Sequence, residues 1–232
     1  MGANPIIQVE NLARRYGRRW ALSDITFQVR AGSVVMVAGR NGSGKSTLFR
    51  VLSTAIRPDR GRALVGGFNV LREREDVRKI SALLSHYSYL YESLSALENL
   101  RVVADHLGVG RNRIMSILER VNLASRADDA VSTFSAGMRK RVSFARVLLQ
   151  EPKVVMFDEP YGQLDPEGFV LVDQVVRELQ AKGTTVLIAT HQLERGANLA
   201  DDAILLEAGR VMWSGAAGDL LTRDAERKER VL

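Results

Sequence analysis

An α/β fold built on a largely parallel sheet is what this sequence predicts, and three observations predict it. Val34–Ala38 is an apolar run rich in valine, followed at once by a glycine-rich turn and then by a segment that can be helical. Val154–Phe157 and Thr184–Thr190 are two more buried-strand runs, and they lead into Asp158-Glu159 and into His191. From Ser95 the hydrophobic period lengthens from 2 to 3.6, so helices interrupt the alternation of strand and helix.

Taken in order, Ile6–Leu12 reads as a first strand and Arg14–Trp20 as a basic, aromatic turn. Asp24–Val29 alternates apolar and polar, as a half-buried antiparallel strand does. Leu48–Leu52 continues the glycine turn as a helix. Arg57–Gly61 is turn chemistry, Ala63–Val65 a short strand ending at Gly66-Gly67, Leu71–Lys79 an exposed helical turn, and Ile80–Leu84 another strand. Leu97, Leu100, Val103, Ala104 and Leu107 form one helical face, which Gly108 and Gly110 end. Ile114, Ile117, Leu118 and Val121 form a second stripe, Ser125–Thr133 is loop-like, and a third helix runs from Ala136 until Glu151-Pro152 stops it. The expected organisation is a single domain over residues 1–232. Its core is 1–86 and 151–232, and residues 87–150 form an inserted helical subdomain. Phe169–Leu179 is a helix, Ala203–Leu206 and Arg210–Trp213 a hairpin, and the tail from Thr222 is charged throughout.

The chain has 232 residues, of which 46% are hydrophobic, enough for a substantial core, so disorder is excluded as the default. It has no cysteine, which excludes a disulfide framework and a thiolate metal site. No apolar run approaches the roughly 20 residues that span a bilayer, and Met1–Pro5 lacks the pattern of a secretory signal. The expectation is a soluble chain, or one held at a membrane through a partner. The net charge of +6 favours acidic partners without choosing among nucleic acid, lipid headgroups and nucleotide.

The turn after the Val34–Ala38 strand is Gly39-Arg40-Asn41-Gly42-Ser43-Gly44-Lys45-Ser46-Thr47, which fits G-x-x-x-x-G-K-[ST]. Glycines let the backbone turn its N–H groups toward a polyphosphate, and the following helix points its positive end at the same anion. Lys45 is expected on the β- and γ-phosphates and the Ser46 hydroxyl on Mg²⁺. Parallel strands bind ligands at their carboxyl ends, where Asp158, Glu159 and His191 also fall. Asp158 suits a carboxylate that holds Mg²⁺. Glu159 is placed to orient or deprotonate an attacking water, and His191 to contact a γ-phosphate and that water. Tyr16 on its own reads either as a stacking face for a nucleobase or as a surface tyrosine among arginines.

Phe134-Ser135-Ala136-Gly137-Met138 resembles the Leu-Ser-Gly-Gly-Gln signature of ATP-binding-cassette (ABC) ATPases, and it stands between the phosphate loop and Asp158 as in that family. Gln163-Leu164-Asp165 is similar to its D-loop, His191 to its switch histidine and Tyr16 to its adenine-stacking aromatic. The resemblance covers nearly the whole chain. It implies a P-loop NTPase (RecA-like) core with an N-terminal antiparallel β subdomain and an inserted α-helical subdomain. It also implies ATP and Mg²⁺ as ligands. In this family Ser135 and its neighbours close on the ATP of a second protomer, so a homodimer or a sister ATPase chain is expected, together with integral membrane transporter subunits at the cytoplasmic face of the cell membrane. The chain departs from the pattern at Ala136, at Met138 and at His86, which falls where the family carries a glutamine that reaches Mg²⁺. His86, Leu97–Leu100 and Thr190–Gln192 resemble one branch, the ATP-binding subunits of the haem exporters of cytochrome c maturation. Against the exporter reading stands a soluble ABC ATPase acting on nucleic acid or ribosomes. The second cassette, coiled coil or zinc module usual in such proteins is not evident, so no nucleic acid is expected.

Overall fold

The computed structural model describes residues 5–85 and 87–222. Two sheets carry the chain. In the first, β1 (Ile7–Tyr16), β2 (Arg19–Val29), β4 (Arg60–Val65) and β5 (Phe68–Asn69) lie in the order β2-β1-β4-β5, every pair antiparallel. In the second, β3 (Val34–Ala38), β6 (Ser81–Leu84), β7 (Val154–Asp158), β8 (Thr185–Ala189), β9 (Asp202–Glu207) and β10 (Arg210–Ala216) lie in the order β10-β9-β3-β8-β7-β6. All pairs in this sheet are parallel except β10 with β9.

The strands of the parallel sheet are buried on both faces, which is why β3, β7 and β8 read as unbroken apolar runs. Their alternate residues enter different cores. Val155 and Phe157 pack with the helices, while Val154 and Met156 pack under the antiparallel sheet and α1 (Lys45–Leu52). Three helices run between the adjacent strands β6 and β7: α3 (Ala96–Leu107), α4 (Ile114–Arg120) and α5 (Ala136–Gln150). Ser95 starts α3 with a full capping box to Glu98, and Gly108 ends it in the left-handed conformation, φ 67°. The remaining helices are α2 (Arg74–Ile80), α6 (Pro166–Ala181) and α7 (Leu193–Leu199), with residues 217–222 helical beyond β10. Among the described residues no helix is long and apolar enough to cross a membrane.

Two sequence expectations need correction. Arg14–Trp20 is not a turn: β1 runs on to Tyr16 and β2 begins at Arg19, leaving Gly17-Arg18 to reverse the chain. Register shifts between Val9 and Arg15 break the alternation that marks a strand, so its second half is invisible as a pattern. The helix α2 is not wholly exposed, because Val77 is fully buried beneath it. The short α7 carries no periodic signal and contains Gly196. A Cβ at that position would stand 2.8 Å from Met36 Sδ and 2.9 Å from Thr190 Cγ2, so the glycine lets the helix lie directly on β3 and the end of β8. The charged tail, residues 223–232, lies outside the described residues.

Candidate nucleotide site

The strand order brings the predicted groups together. β8 lies between β3 and β7, with Val37 and Asp158 both paired to Ala189. The phosphate loop after β3, Thr190-His191 after β8 and Asp158-Glu159 at the end of β7 therefore share one edge of the sheet. The loop is shaped by glycines that no other residue could replace at equal cost. Gly39 has φ 147°, and a Cβ there would sit 2.3 Å from the Leu206 carbonyl; Gly44 has φ 112°, and its Cβ would meet the Ala21 carbonyl at 2.6 Å. Gly44 is also the N-cap of α1, so no side chain takes the helix's first N–H groups and the first turn holds no acid. The helix end is left free to meet an anion.

Lys45 is only 6% exposed and its Nζ donates to the carbonyls of Gly39 at 2.6 Å and Arg40 at 3.2 Å. Burial lowers its pKa, an effect that the charges of Glu159 and Asp158 oppose. The lysine thus spans the loop and faces the carboxylates across it. Asn41, Gly42 and Ser46 are exposed at the same loop, Thr47 is half-buried, and Ser43 is buried with a hydroxyl that has no protein partner. Asp158 is 5% exposed, and its Oδ1 likewise has none. A buried carboxylate oxygen without a donor is costly unless a cation or water meets it. This makes the donor set fit Mg²⁺, which takes one or two protein oxygens and fills its shell with phosphate and water. Ser46 and Asp158 would hold it, and the ion would neutralise charge on the transferred phosphate. Among the described residues no group of three or more His, Cys, Asp or Glu could form an all-protein cage, which is consistent with that sparse mode.

Glu159 occupies an unusual backbone position, φ 50°. Its N–H donates to the Ala189 carbonyl at 2.8 Å, and its own carbonyl accepts from Gly162 N at 3.2 Å and from Lys140 Nζ at 3.1 Å. Its carboxylate reaches His191, with Oε2 2.9 Å from Nδ1. The carboxylate is three-quarters buried, whereas the imidazole is two-thirds exposed. An acid held by its main chain and paired with a histidine at the strand ends is suited to align and accept a proton from water.

Ser135 caps α5, its hydroxyl accepting from Met138 N at 3.2 Å. Phe134 is buried in the helical core, Ala136 and Gly137 are half-buried, and Met138 packs its side chain on that core where a glutamine would be polar. Gly137 lies so close to the next segment that a Cβ would be 3.1 Å from the Gln163 carbonyl. Asp165 accounts for itself structurally: it caps α6 by accepting from Gly168 N at 2.7 Å and meets Arg141 at 3.4 Å. Tyr16 is 48% exposed, with the Arg14 guanidinium 5.1 Å from its ring centre. His86 lies outside the described residues.

Two groups at the site escape sequence reasoning. Lys140 is 7% exposed, and burial brings its pKa down to about 8 although Asp158 and Glu159 pull the other way. Tyr161 is 1% exposed and donates to Asp173 at 2.8 Å; Arg195 meets the other oxygen of Asp173 at 2.8 Å and lies 5.4 Å from the tyrosine ring centre. Burial is the main reason the tyrosine pKa is raised. This cluster ties the turn after Glu159 to α6 and α7. The one available signal was a lysine one helical turn before Phe144, on the inward side of α5.

Residues 22–162 match the family model for ABC transporters. The chain is 42% identical over 222 residues to the daunorubicin resistance ATP-binding protein DrrA3 of Streptomyces coeruleorubidus, covering 94% of this chain and 70% of that protein. It is 32% identical over 228 residues to the Nod factor export ATP-binding protein I of Ralstonia nicotianae, covering 97% and 71%. A solved structure of an ATP-binding subunit of an ABC transporter superposes with a TM-score of 0.87 at 29% identity, covering 95% of this chain and 93% of that one. A shared phosphate loop, sheet edge and carboxylate turn, together with a close match over nearly the whole chain, lead to one conclusion: this chain belongs to the ABC transporter family, as an ATP-binding subunit that hydrolyses ATP.

Proposed function

We propose that this chain is the ATPase subunit of an exporter, and that Glu159 and His191 carry its chemistry. The observation behind the chemical assignment is the 2.9 Å contact between His191 Nδ1 and Glu159 Oε2 at the edge shared by the phosphate loop and Asp158. Gly39, Asn41, Gly42, Ser43, Gly44, Lys45, Ser46 and Thr47 hold the triphosphate, Tyr16 stacks on the adenine, and Ser46 and Asp158 hold Mg²⁺. Residues 134–137 open a helix whose N–H groups left free by the Ser135 cap suit the γ-phosphate of a second protomer. Two chains then sandwich two nucleotides, and hydrolysis removes the group that joins them. Residues 87–150 act as the helical subdomain that meets membrane subunits.

Export is the direction favoured by the Nod factor relative, and resistance to daunorubicin is the role named for the 42% identical relative. The haem reading rests only on the similarity at 97–100 and 190–192 and on His86, whereas the relatives are named for daunorubicin resistance and Nod factor export, so a small molecule other than haem is the preferred cargo. The test is detergent extraction of cells carrying a tagged chain. Co-purification with a membrane-embedded protein, and ATPase activity raised by daunorubicin more than by haem, is the expected result. Recovery from the soluble fraction alone counts against the transporter role.

A further inference from the structure

We propose that Lys140 is a positioning residue for hydrolysis, acting through the main chain of Glu159. The proposal rests on the assignment of Glu159 as the proton acceptor. Lys140 lies five residues after Ser135, on the buried side of α5, with its Nζ 3.1 Å from the Glu159 carbonyl oxygen. That carbonyl belongs to a residue at φ 50°, a conformation an L-residue holds only when its surroundings impose it. The impositions can be counted from the contacts. The Glu159 N–H is fixed by Ala189, the next turn is closed by Gly162 N, and among the described residues Lys140 supplies the one side-chain donor to the carbonyl. A buried lysine is expensive, and its charge lies in the field of Asp158 and Glu159. A methionine would fill the same space without that cost, so packing gives no reason for an ammonium here.

The contact has neighbours that extend it. Gly137 approaches the Gln163 carbonyl, and Arg141 Nη2 lies 3.4 Å from Asp165. The first turns of α5 therefore grip residues 159–165 at three successive points, and only Lys140 reaches the residue whose carboxylate faces His191. Among the described residues the Lys140 ammonium donates to the Glu159 carbonyl and to no residue of the phosphate loop. Its removal should let the Glu159 turn relax, moving the carboxylate away from the water it aligns while leaving the triphosphate cradle intact.

The experiment measures steady-state ATPase and nucleotide affinity for the wild type, Lys140→Met, Lys140→Arg, Glu159→Gln and the Lys140→Met/Glu159→Gln double variant, each with its thermal melt. The expected result is that Lys140→Met lowers kcat by about tenfold or more with the ATP affinity within about twofold, the pattern of a lost transition-state interaction. Lys140→Arg, which keeps a donor, should recover most of the rate. In the Glu159→Gln background, Lys140→Met should lower the residual rate by less than about twofold, because a residue acting through Glu159 has nothing further to remove. An equal loss in both backgrounds, a matching loss of ATP affinity, or an unchanged kcat overturns the proposal. If Lys140→Met does not fold, Lys140→Gln carries the same comparison. Glu159→Gln at wild-type rate would instead overturn the assignment of the base, which separates the two failures.

Discussion

His191 Nδ1 stands 2.9 Å from Glu159 Oε2, across 32 residues of sequence, because their strands β8 and β7 are neighbours in the parallel sheet. The acid is mostly enclosed and the imidazole mostly exposed, so the histidine is the solvent-side partner and the carboxylate the fixed one. Replacing Glu159 by Gln keeps its shape and removes the proposed proton acceptor. The rate of phosphate release should fall by about 10²- to 10⁴-fold. Binding of a fluorescent ATP analogue should be unchanged, and ATP should hold a dimer that gel filtration detects. His191→Ala should lower kcat by at least about tenfold by freeing the glutamate. A Glu159→Gln variant that hydrolyses normally would end the assignment.

Lys45 makes a second test, directed at binding rather than turnover. It is the one buried cation on the loop itself, with donors already directed across the loop mouth to Gly39 and Arg40. Charge-assisted hydrogen bonds contribute about 1.5–3 kcal/mol each, so Lys45→Ala should weaken ATP affinity by about 10- to 100-fold. The fold should survive, since alanine removes a buried charge. Circular dichroism and nucleotide titration on the same sample separate loss of binding from loss of structure.

The parts of this architecture written in local pattern were legible in the sequence. The loop glycines, the apolar strands and the change to a helical period from Ser95 each carry their signal within a few residues. The second half of β1 was not legible, because bulges shift its register and arginines line its exposed end. Nor was the short α7, whose reason for existing is the contact between Gly196 and β3. At the site, Asp158, Glu159 and His191 could be named because each follows an apolar strand. Lys140 and Tyr161 could not, because what matters for each is a partner on another element: the Glu159 carbonyl for one and the Asp173–Arg195 pair for the other.

Stability should depend on pH through Lys140 in a definite direction. Burial lowers its pKa from an ordinary 10.5 to about 8. Below pH 8 both folded and unfolded chains hold the proton, so the cost of burying the charge is fully present. Between about 8 and 10.5 the unfolded chain binds more protons than the folded one, and stability from this group rises with pH. The shift corresponds to something on the order of 3 kcal/mol. Urea unfolding of wild type and Lys140→Met, without nucleotide and in a chelator, should therefore show the wild type gaining on the variant as pH rises from 8 to 10. A difference that stays flat across that window would mean that Lys140 is not held in a low-dielectric setting.

Phe144 and Phe157 join the signature helix to the strand that ends in Asp158. Their ring centres are 5.4 Å apart with planes tilted by 59°, and both side chains are fully buried. Phe→Ala changes in such cores cost about 3–5 kcal/mol, from lost transfer energy and the cavity left behind. Tilted aromatic pairs add about 0.5–1.5 kcal/mol beyond the area they bury. Phe144→Leu and Phe157→Leu, milder changes chosen to keep the chain folded, should each destabilise measurably, and the double variant by less than their sum, since the pair interaction is lost only once. ATPase activity should fall more steeply for Phe157→Leu than ATP affinity, because β7 carries the turn of the proposed base Glu159 whereas β3 and α1 carry the loop. Additive destabilisation in urea melts would show that α5 and β7 are held together by other contacts, and would remove this pair from the framework that supports Glu159.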